Sequence, residues 1–166
     1  MRILVVGGGA IGAATAWFLA RAGAEPVLIE RAAIACGASG KSGGFLALDW
    51  CDGTALAALA RRSFALHEEL AAAMPDRWGY RKVTTLHLHY DARRQAMPAS
   101  REGLPAWLSP ATVPAQVLGG VATTAQLAPA AFTRALADAA CRRGGSRIDA
   151  VVSELVRCLL YTSPSP

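Results

Sequence analysis

The 166-residue sequence is poor in aromatic and charged side chains, which make up 7% and 17% of it, and it has only four cysteines and two lysines. Low charge combined with 53% hydrophobic residues excludes intrinsic disorder over most of the chain. Cys36, Cys51, Cys141 and Cys158 are far apart and form no C-x-x-C pair, which argues against a disulfide framework and a zinc site. We therefore expect a soluble cytoplasmic protein with reduced thiols and no bound metal.

Clustered positive charge is also missing. The net charge is +5, but the arginines occur as scattered pairs such as Arg61-Arg62 and Arg142-Arg143, without interleaved aromatic residues. Because nucleic-acid binding needs a basic face, we expect no nucleic-acid partner.

The N-terminus contains an uncharged run of eighteen residues, Ile3 to Ala20, which raises a signal peptide or a membrane span as alternatives. Four glycines interrupt this run. The β-branched residues from Ile3 to Val6 predict a strand, and the apolar pattern after the glycines predicts a helix from about Ala10 to Ala22. We therefore expect no membrane segment and an N-terminus that stays on the protein.

The glycines form a G-x-G-x-x-G motif between a buried strand and a helix, which is where a dinucleotide-binding turn requires it. Gly7 permits the tight turn, Gly9 lets a pyrophosphate approach the backbone, and Gly12 lets the helix lie against the sheet. The free N–H groups at the helix start, around Ala10 and Ile11, would bind the diphosphate. The alternative is a glycine-rich helix start without a ligand.

Glu30 ends the second predicted strand, Pro26 to Glu30, 23 residues after Gly7. A carboxylate at this position can accept hydrogen bonds from both ribose hydroxyls of an adenosine and would repel a 2′-phosphate, so NADP is disfavoured. A solvated acid at a strand end is the alternative. Strand, glycine turn, helix, strand and acid together predict dinucleotide binding.

The segment after Glu30 favours FAD over NAD. Residues 31–53 show little periodicity and predict a long ordered loop, which in a compact domain usually carries function. The part from Ala35 to Phe45 holds four glycines, two serines and Lys41. These residues offer N–H groups, hydroxyls and a positive charge along an extended ligand. An NAD site more usually continues from the second strand into another helix.

The remaining sequence predicts a helix from Thr54 to Met74, a strand from Lys82 to Tyr90, a loop from Asp91 to Pro114, a strand from Val117 to Thr124, a helix from Pro129 to Gly144-Gly145 and a strand from Arg147 to Val152.

Two sets of side chains in these elements have a ligand-binding alternative. His87 and His89 point to the same face of a strand and can ligate a metal with a third group, but ordinary strand histidines are the favoured interpretation. Trp78, Tyr80 and Trp107 can line a substrate pocket, although packing is favoured for them.

The loop residues resemble a known family. Glu30-Arg31 followed by Gly37-Ala38-Ser39-Gly40-Lys41-Ser42-Gly43-Gly44 is similar to the FAD-dependent oxidoreductases of the D-amino-acid oxidase type, which include glycine and sarcosine oxidases. The run from Gly43 to Gly53 resembles an uncharacterised branch of this family. A weaker likeness continues through Gln126–Pro129 and Phe132–Leu136, so it covers about residues 2–156.

The resemblance implies an α/β fold, with a Rossmann-like FAD-binding βαβ domain and the beginning of an inserted mixed-sheet substrate domain, incomplete in this chain. The implied domains are the first part of the FAD-binding domain (1–80), the start of the substrate domain (81–124) and the return to the FAD-binding domain (125–157). FAD is the implied cofactor. The implied substrate is a small amine or amino acid, whose C–N bond is oxidised by hydride transfer to the flavin.

The resemblance also implies roles for individual residues. Gly7, Gly9 and Gly12 would hold the pyrophosphate, Glu30 would bind the adenosine ribose, and Arg31 would flank the adenine. The residues implied to run beside the ribityl chain and the flavin are Ala38, Ser39, Lys41, Ser42, Gly43, Gly44 and Phe45. Lys41 either stabilises negative charge on the reduced flavin or lies at the pyrophosphate or the surface. No catalytic residue is assigned in this chain.

Members of the family are much longer than this chain, and their substrate-binding residues lie in a C-terminal half that it lacks. Residues 158–166 resemble no part of the family and are interpreted as a non-native tail. We therefore expect the N-terminal part of an FAD-dependent oxidoreductase, inactive by itself. The alternatives are an NAD-dependent dehydrogenase fragment and a non-catalytic nucleotide-binding fragment, and the oligomeric state is left open.

Overall fold

The computed structural model describes residues 1–74, 77–90, 105–109 and 111–156. The elements, in chain order, are β1 (Arg2–Val6), α1 (Ala10–Arg21), β2 (Glu25–Glu30), α2 (Ala38–Lys41), β3 (Phe45–Ala47), α3 (Ala57–Ala73), β4 (Arg81–Lys82), β5 (Thr85–Tyr90), β6 (Thr112–Gly119), β7 (Thr124–Gln126), α4 (Pro129–Arg142) and β8 (Ser146–Asp149).

The chain divides into two compact units. The first unit combines Met1–Gly43 with the chain from Ala128 onward, and the second is Gly44–Leu127. The divisions therefore lie near residues 43 and 127, whereas the predicted domain boundaries lie at 80 and 124. The assignment of FAD-binding and substrate domains stays a prediction. The proposed tail at 158–166 lies outside the described residues, as do residues 91–104 of the predicted loop.

The first unit contains a parallel sheet with the strand order β1-β2-β8. Leu4 lies opposite Val27, and Ile29 lies opposite Ile148. The predicted βαβ arrangement is confirmed, and α1 ends where Gly23 adopts a φ of 83°, a conformation that glycine accepts without strain. This topology brings the end of β1, the start of α1 and the end of β2 to one edge of the sheet.

Small side chains form the contact between α1 and α4 in the first unit. Ala13 and Ala16 on α1 and Ala137 on α4 are almost fully buried, so the two helix backbones can approach closely. The predicted start of α4 at Pro129 is confirmed, and Gly144 follows its end with a φ of 93°. β8 is shorter than expected, because it ends at Asp149 rather than Val152.

The second unit contains α3, an antiparallel sheet with the order β3-β7-β4, and an antiparallel pair of β5 and β6. Two predicted strands are wrong as continuous elements. The first breaks into β4 and β5, because the Val83 N–H bonds to the Thr124 carbonyl beyond the end of β4. The second breaks into β6 and β7, because the chain turns after Gly120. The Gly120 carbonyl accepts the N–H groups of Thr123 and Thr124 in this turn.

Other boundaries also differ from the sequence pattern. The predicted loop 31–53 contains α2 and β3, and β6 already begins at Thr112, inside the second predicted loop. α3 begins at Ala57 rather than Thr54, because Thr54 and its hydroxyl close a turn before the helix. In the described part of the chain, no helix has both the length and the apolar composition needed to cross a membrane.

Candidate cofactor site

The turn between β1 and α1 has the backbone geometry that its glycines predict. Gly7 has a φ of 105°, in the left-handed range that favours glycine, and its N–H donates to the Ile29 carbonyl at 2.8 Å. A Cβ on Gly12 would overlap the carbonyl oxygen of Gly7. A side chain at Gly12 would therefore push the first turn of α1 away from the end of β1.

The start of α1 is capped by a side chain that is distant in sequence. Gly9 occupies the N-cap position and has no side chain to bond the free N–H groups. Instead, the Ala10 N–H donates to Oγ of Ser39 on α2 at 2.9 Å. A Cβ on Gly9 would lie 3.1 Å from the same Oγ atom. The hydroxyl of Ser39 therefore lies beside the glycine turn, at the positive end of the α1 dipole.

The Glu30 carboxylate also reaches the glycine turn. Its Oε2 accepts the Gly8 N–H at 2.6 Å, and its Oε1 accepts the Ala32 N–H at 2.9 Å. The hydrogen bond from Gly8, followed by that from Ala32, lowers the pKa of Glu30 below its ordinary value of 4.5. The side chain is therefore an ionised acceptor at physiological pH, placed between the turn and the loop that follows β2.

The loop after β2 is attached to the turn through its backbone. The Ala35 N–H donates to the Gly8 carbonyl at 3.0 Å, and Ala35 has a φ of 64°, which is uncommon for a residue with a side chain. A Cβ on Gly40 would overlap the Ala35 carbonyl oxygen. This tight packing brings α2, and Ser39 with it, to the start of α1.

The structure thus brings six of the predicted site residues to the turn, namely Gly7, Gly9, Ala10, Gly12, Glu30 and Ser39. Ile11 lies in the first turn of α1 with 86% of its surface exposed. The remaining predicted residues of the first unit, Arg31, Ala38, Lys41, Ser42 and Gly43, are exposed.

Gly44 and Phe45 belong to the second unit. Gly44 has a φ of 69°, and its carbonyl accepts the Leu127 N–H at 3.0 Å. Phe45 is 57% exposed at the start of β3. Both residues are therefore positioned by the sheet of the second unit.

Sequence reasoning missed two backbone contributors to the site, Gly8 and Ala35. Gly8 occupies a variable position of the G-x-G-x-x-G motif, yet a Cβ there would overlap the Ile34 side chain and approach Cγ of Glu30 to 3.0 Å. The need for glycine at this position comes from the close approach of the Ile34 and Glu30 side chains, which the spacing of the motif does not indicate. Ala35 has no such signal, because nothing in the sequence marks an alanine for positive φ.

The aromatic residues and histidines for which the sequence allows a pocket or a metal site lie in the second unit. Trp78 is 3% exposed and is packed as expected, whereas Trp107 is 81% exposed. Burial of the Tyr80 phenol raises its pKa above the ordinary value of 10.0. Among the described residues, no group of three or more histidine, cysteine or acidic side chains could hold a metal ion.

Comparison with known proteins gives a family match over most of the chain. The family model described as DAO, FAD dependent oxidoreductase, matches residues 2–157. A protein of Schizosaccharomyces pombe named "Putative oxidoreductase C1F5.03c" is 35% identical over 143 residues, which are 81% of this chain and 37% of that protein. "Putative oxidoreductase TDA3" of Saccharomyces cerevisiae is 38% identical over 103 residues, which are 57% of this chain and 19% of that protein.

Solved structures show the same fold. The chain is similar to glycine oxidase from Bacillus cereus ATCC 14579, with a TM-score of 0.70 and 23% identity over 87% of this chain and 46% of that one. Iminodiacetate oxidase from Chelativorans sp. BNC1 gives a TM-score of 0.64 and 22% identity over 90% of this chain and 46% of that one. The chain therefore spans less than half the length of these relatives.

Proposed function

Because this chain belongs to the FAD dependent oxidoreductase family, we propose that it forms the N-terminal part of an enzyme that oxidises a C–N bond of an amine or amino acid. The two structural relatives are named as oxidases of glycine and of iminodiacetate, which both contain such a bond. Bound FAD would supply the redox chemistry, and this chain's residues would supply binding, orientation and electrostatics.

The glycine turn fits the diphosphate of FAD. No atom lies within 4 Å of the position that a Cβ on Gly7 would take, and the first turn of α1, which follows it, contains no acidic residue. The N–H groups of that turn and the helix dipole favour an anion there. We place the pyrophosphate against Gly7, Gly9 and Gly12, with Ala10 and Ile11 at the helix start.

Ser39 has a different proposed place from the one that the family resemblance implies. Its Oγ accepts the Ala10 N–H, so its own O–H is left to donate outward from the start of α1. A phosphate oxygen bound at the helix start is the acceptor that this position favours. We therefore place Ser39 at the diphosphate, rather than beside the ribityl chain.

The assignment of FAD as the cofactor rests on the position and hydrogen bonds of the Glu30 carboxylate. Each of its carboxylate oxygens accepts one backbone N–H and keeps a second lone pair. Those lone pairs can accept the two ribose hydroxyls of an adenosine, and the charge disfavours a 2′-phosphate. Arg31 beside the adenine, and Ala38 with Lys41 to Phe45 along the ribityl chain and flavin, stay proposals that rest on the family resemblance.

Cytoplasmic localisation is also part of the proposal. Cys36, Cys51 and Cys141 are free, and Cys36 is exposed, which fits a reducing compartment. A small-molecule substrate and the absence of a nucleic-acid partner remain predictions from the composition.

The cofactor assignment is tested by titrating the full-length apoprotein with FAD, NAD⁺ and NADP⁺ while following flavin or protein fluorescence. We expect saturable binding of FAD, and competition by ADP, which shares the adenosine and diphosphate groups. Saturable binding of NAD⁺ with no response to FAD would support the dehydrogenase alternative. The absence of binding to any of the three would contradict the site itself.

A further inference from the structure

Two of the three histidines of this chain form a pair on an exposed strand of the second unit. His87 and His89 are two residues apart on β5, so their side chains point to the same face. Both are solvent-exposed, and their ring centroids are 5.0 Å apart with the planes tilted by 50°. The third histidine, His67, lies half-buried on α3.

The separation of the two rings matches that of two imidazoles on one metal ion. A histidine nitrogen binds a late transition metal at about 2.0–2.1 Å, which places the ion roughly 3 Å from the ring centroid. Two such rings have centroids about 4–5 Å apart, the smaller value for the 90° angles of tetragonal coordination and the larger for a tetrahedral angle. The planes of the two rings are tilted by 50°, so the rings are not stacked face to face.

We propose that His87 and His89 chelate a divalent late transition-metal cation, of the class of Ni²⁺, Zn²⁺ and Cu²⁺. Imidazole nitrogen is a preferred ligand for these ions, and exposure of the pair leaves the other coordination positions to water. With two protein ligands the site binds more weakly than a four-ligand structural zinc site. Because the pair lies on β5, remote in sequence from the glycine turn, metal binding does not depend on the proposed function.

The test is calorimetric titration of the untagged 166-residue chain with NiCl₂, after alkylation of the thiols so that cysteine does not compete. We expect one Ni²⁺ per chain. His87→Asn and His89→Asn should each weaken binding at least about tenfold, since even an outer-shell partner of a metal ligand typically contributes that much. The matched control, His67→Asn, removes the remaining histidine and should leave the affinity unchanged.

Paramagnetic broadening gives a second, positional measurement on the same protein. Bound Ni²⁺ should broaden the amide resonances of β5 and of β6, the strand paired with it. Unchanged Ni²⁺ affinity in both His87→Asn and His89→Asn would overturn the proposal. An equal loss of affinity in His67→Asn, or broadening centred away from β5, would overturn it as well.

Discussion

The Glu30 carboxylate offers the sharpest test of the site, because one isosteric change removes its charge and one of its acceptor oxygens. In Glu30→Gln, the amide oxygen can accept either the Gly8 N–H or the Ala32 N–H, but the amide nitrogen cannot accept the other. The variant therefore loses one of two hydrogen bonds and makes the remaining one neutral. The control is Glu25→Gln, which removes an exposed carboxylate from the other end of the same strand.

The expected magnitude follows from these two bonds. A hydrogen bond to a charged group contributes about 1.5–3 kcal/mol and a neutral one about 0.5–1.5 kcal/mol. The lower values, for two charged bonds replaced by one neutral bond, give about 2.5 kcal/mol. Because Glu30 is only half-buried, we expect Glu30→Gln to lower the free energy of unfolding by slightly less, about 2 kcal/mol. For a chain of this length the melting temperature should fall by about 4–8 °C.

The same interaction gives a pH dependence with a defined sign. The pKa of Glu30 is lowered in the folded state, so its contribution to stability is present above the ordinary value of 4.5. It is lost as the pH falls below 4.5 and through the lower pKa of the folded state. The stability difference between the wild type and Glu30→Gln should therefore be constant near neutral pH and shrink in acid.

Thermal unfolding of the wild type, Glu30→Gln and Glu25→Gln at pH 7 and in acid measures both effects. In the full-length enzyme, Glu30→Gln should also weaken FAD binding about tenfold, the equivalent of 1.4 kcal/mol. Equal melting temperatures for the wild type and Glu30→Gln at pH 7 would show that the hydrogen bonds from Gly8 and Ala32 to the Glu30 carboxylate do not stabilise the fold. A loss of stability in Glu25→Gln as large as in Glu30→Gln would show a general charge effect instead.

Three further predictions concern the same unit. Ser39→Ala removes the cap of α1 and should cost about 0.5–2 kcal/mol of stability and weaken FAD binding, measured against Ser153→Ala as the exposed control; equal effects of the two changes would contradict the cap. Gly12→Ala should destabilise the chain by about 1–3 kcal/mol or more, since its methyl group overlaps the Gly7 carbonyl, and a wild-type urea midpoint would show that the turn lies elsewhere. The intact mass of the expressed protein should retain residues 1–23, because their glycines serve a turn; loss of about twenty residues would support a signal peptide.

Much of the first unit could be predicted because its elements have local signals. The β-branched residues of β1, Gly23 after α1 and Pro129 at the start of α4 each determine a boundary through backbone preferences. The second unit was harder to predict. A turn at Gly120 and the bond between Val83 and Thr124 divide what the alternating pattern presents as continuous strands, and such breaks depend on partners distant in sequence.

The site likewise contains features that local sequence patterns predict and features that depend on contacts between distant residues. Spacing alone identified the glycine turn and Glu30, since a β-α-β unit brings the ends of β1 and β2 together. It could not show that Ser39 caps α1, because that contact joins residues 29 positions apart through a loop with no periodic pattern. The left-handed conformation of Ala35 is likewise imposed by its bond to Gly8 and not by its residue type.

Anaerobic reduction of the flavin tests the central claim most directly. The full-length protein, loaded with FAD, is mixed without oxygen with a panel of primary and secondary amines and amino acids, and the flavin absorbance is followed. We predict stoichiometric bleaching by at least one of these compounds, and none by the 166-residue chain with FAD added, because that chain spans only 46% of its structural relatives. A full-length protein whose FAD is reduced by NADH, and by none of the amines or amino acids, would contradict the proposed oxidation of a C–N bond.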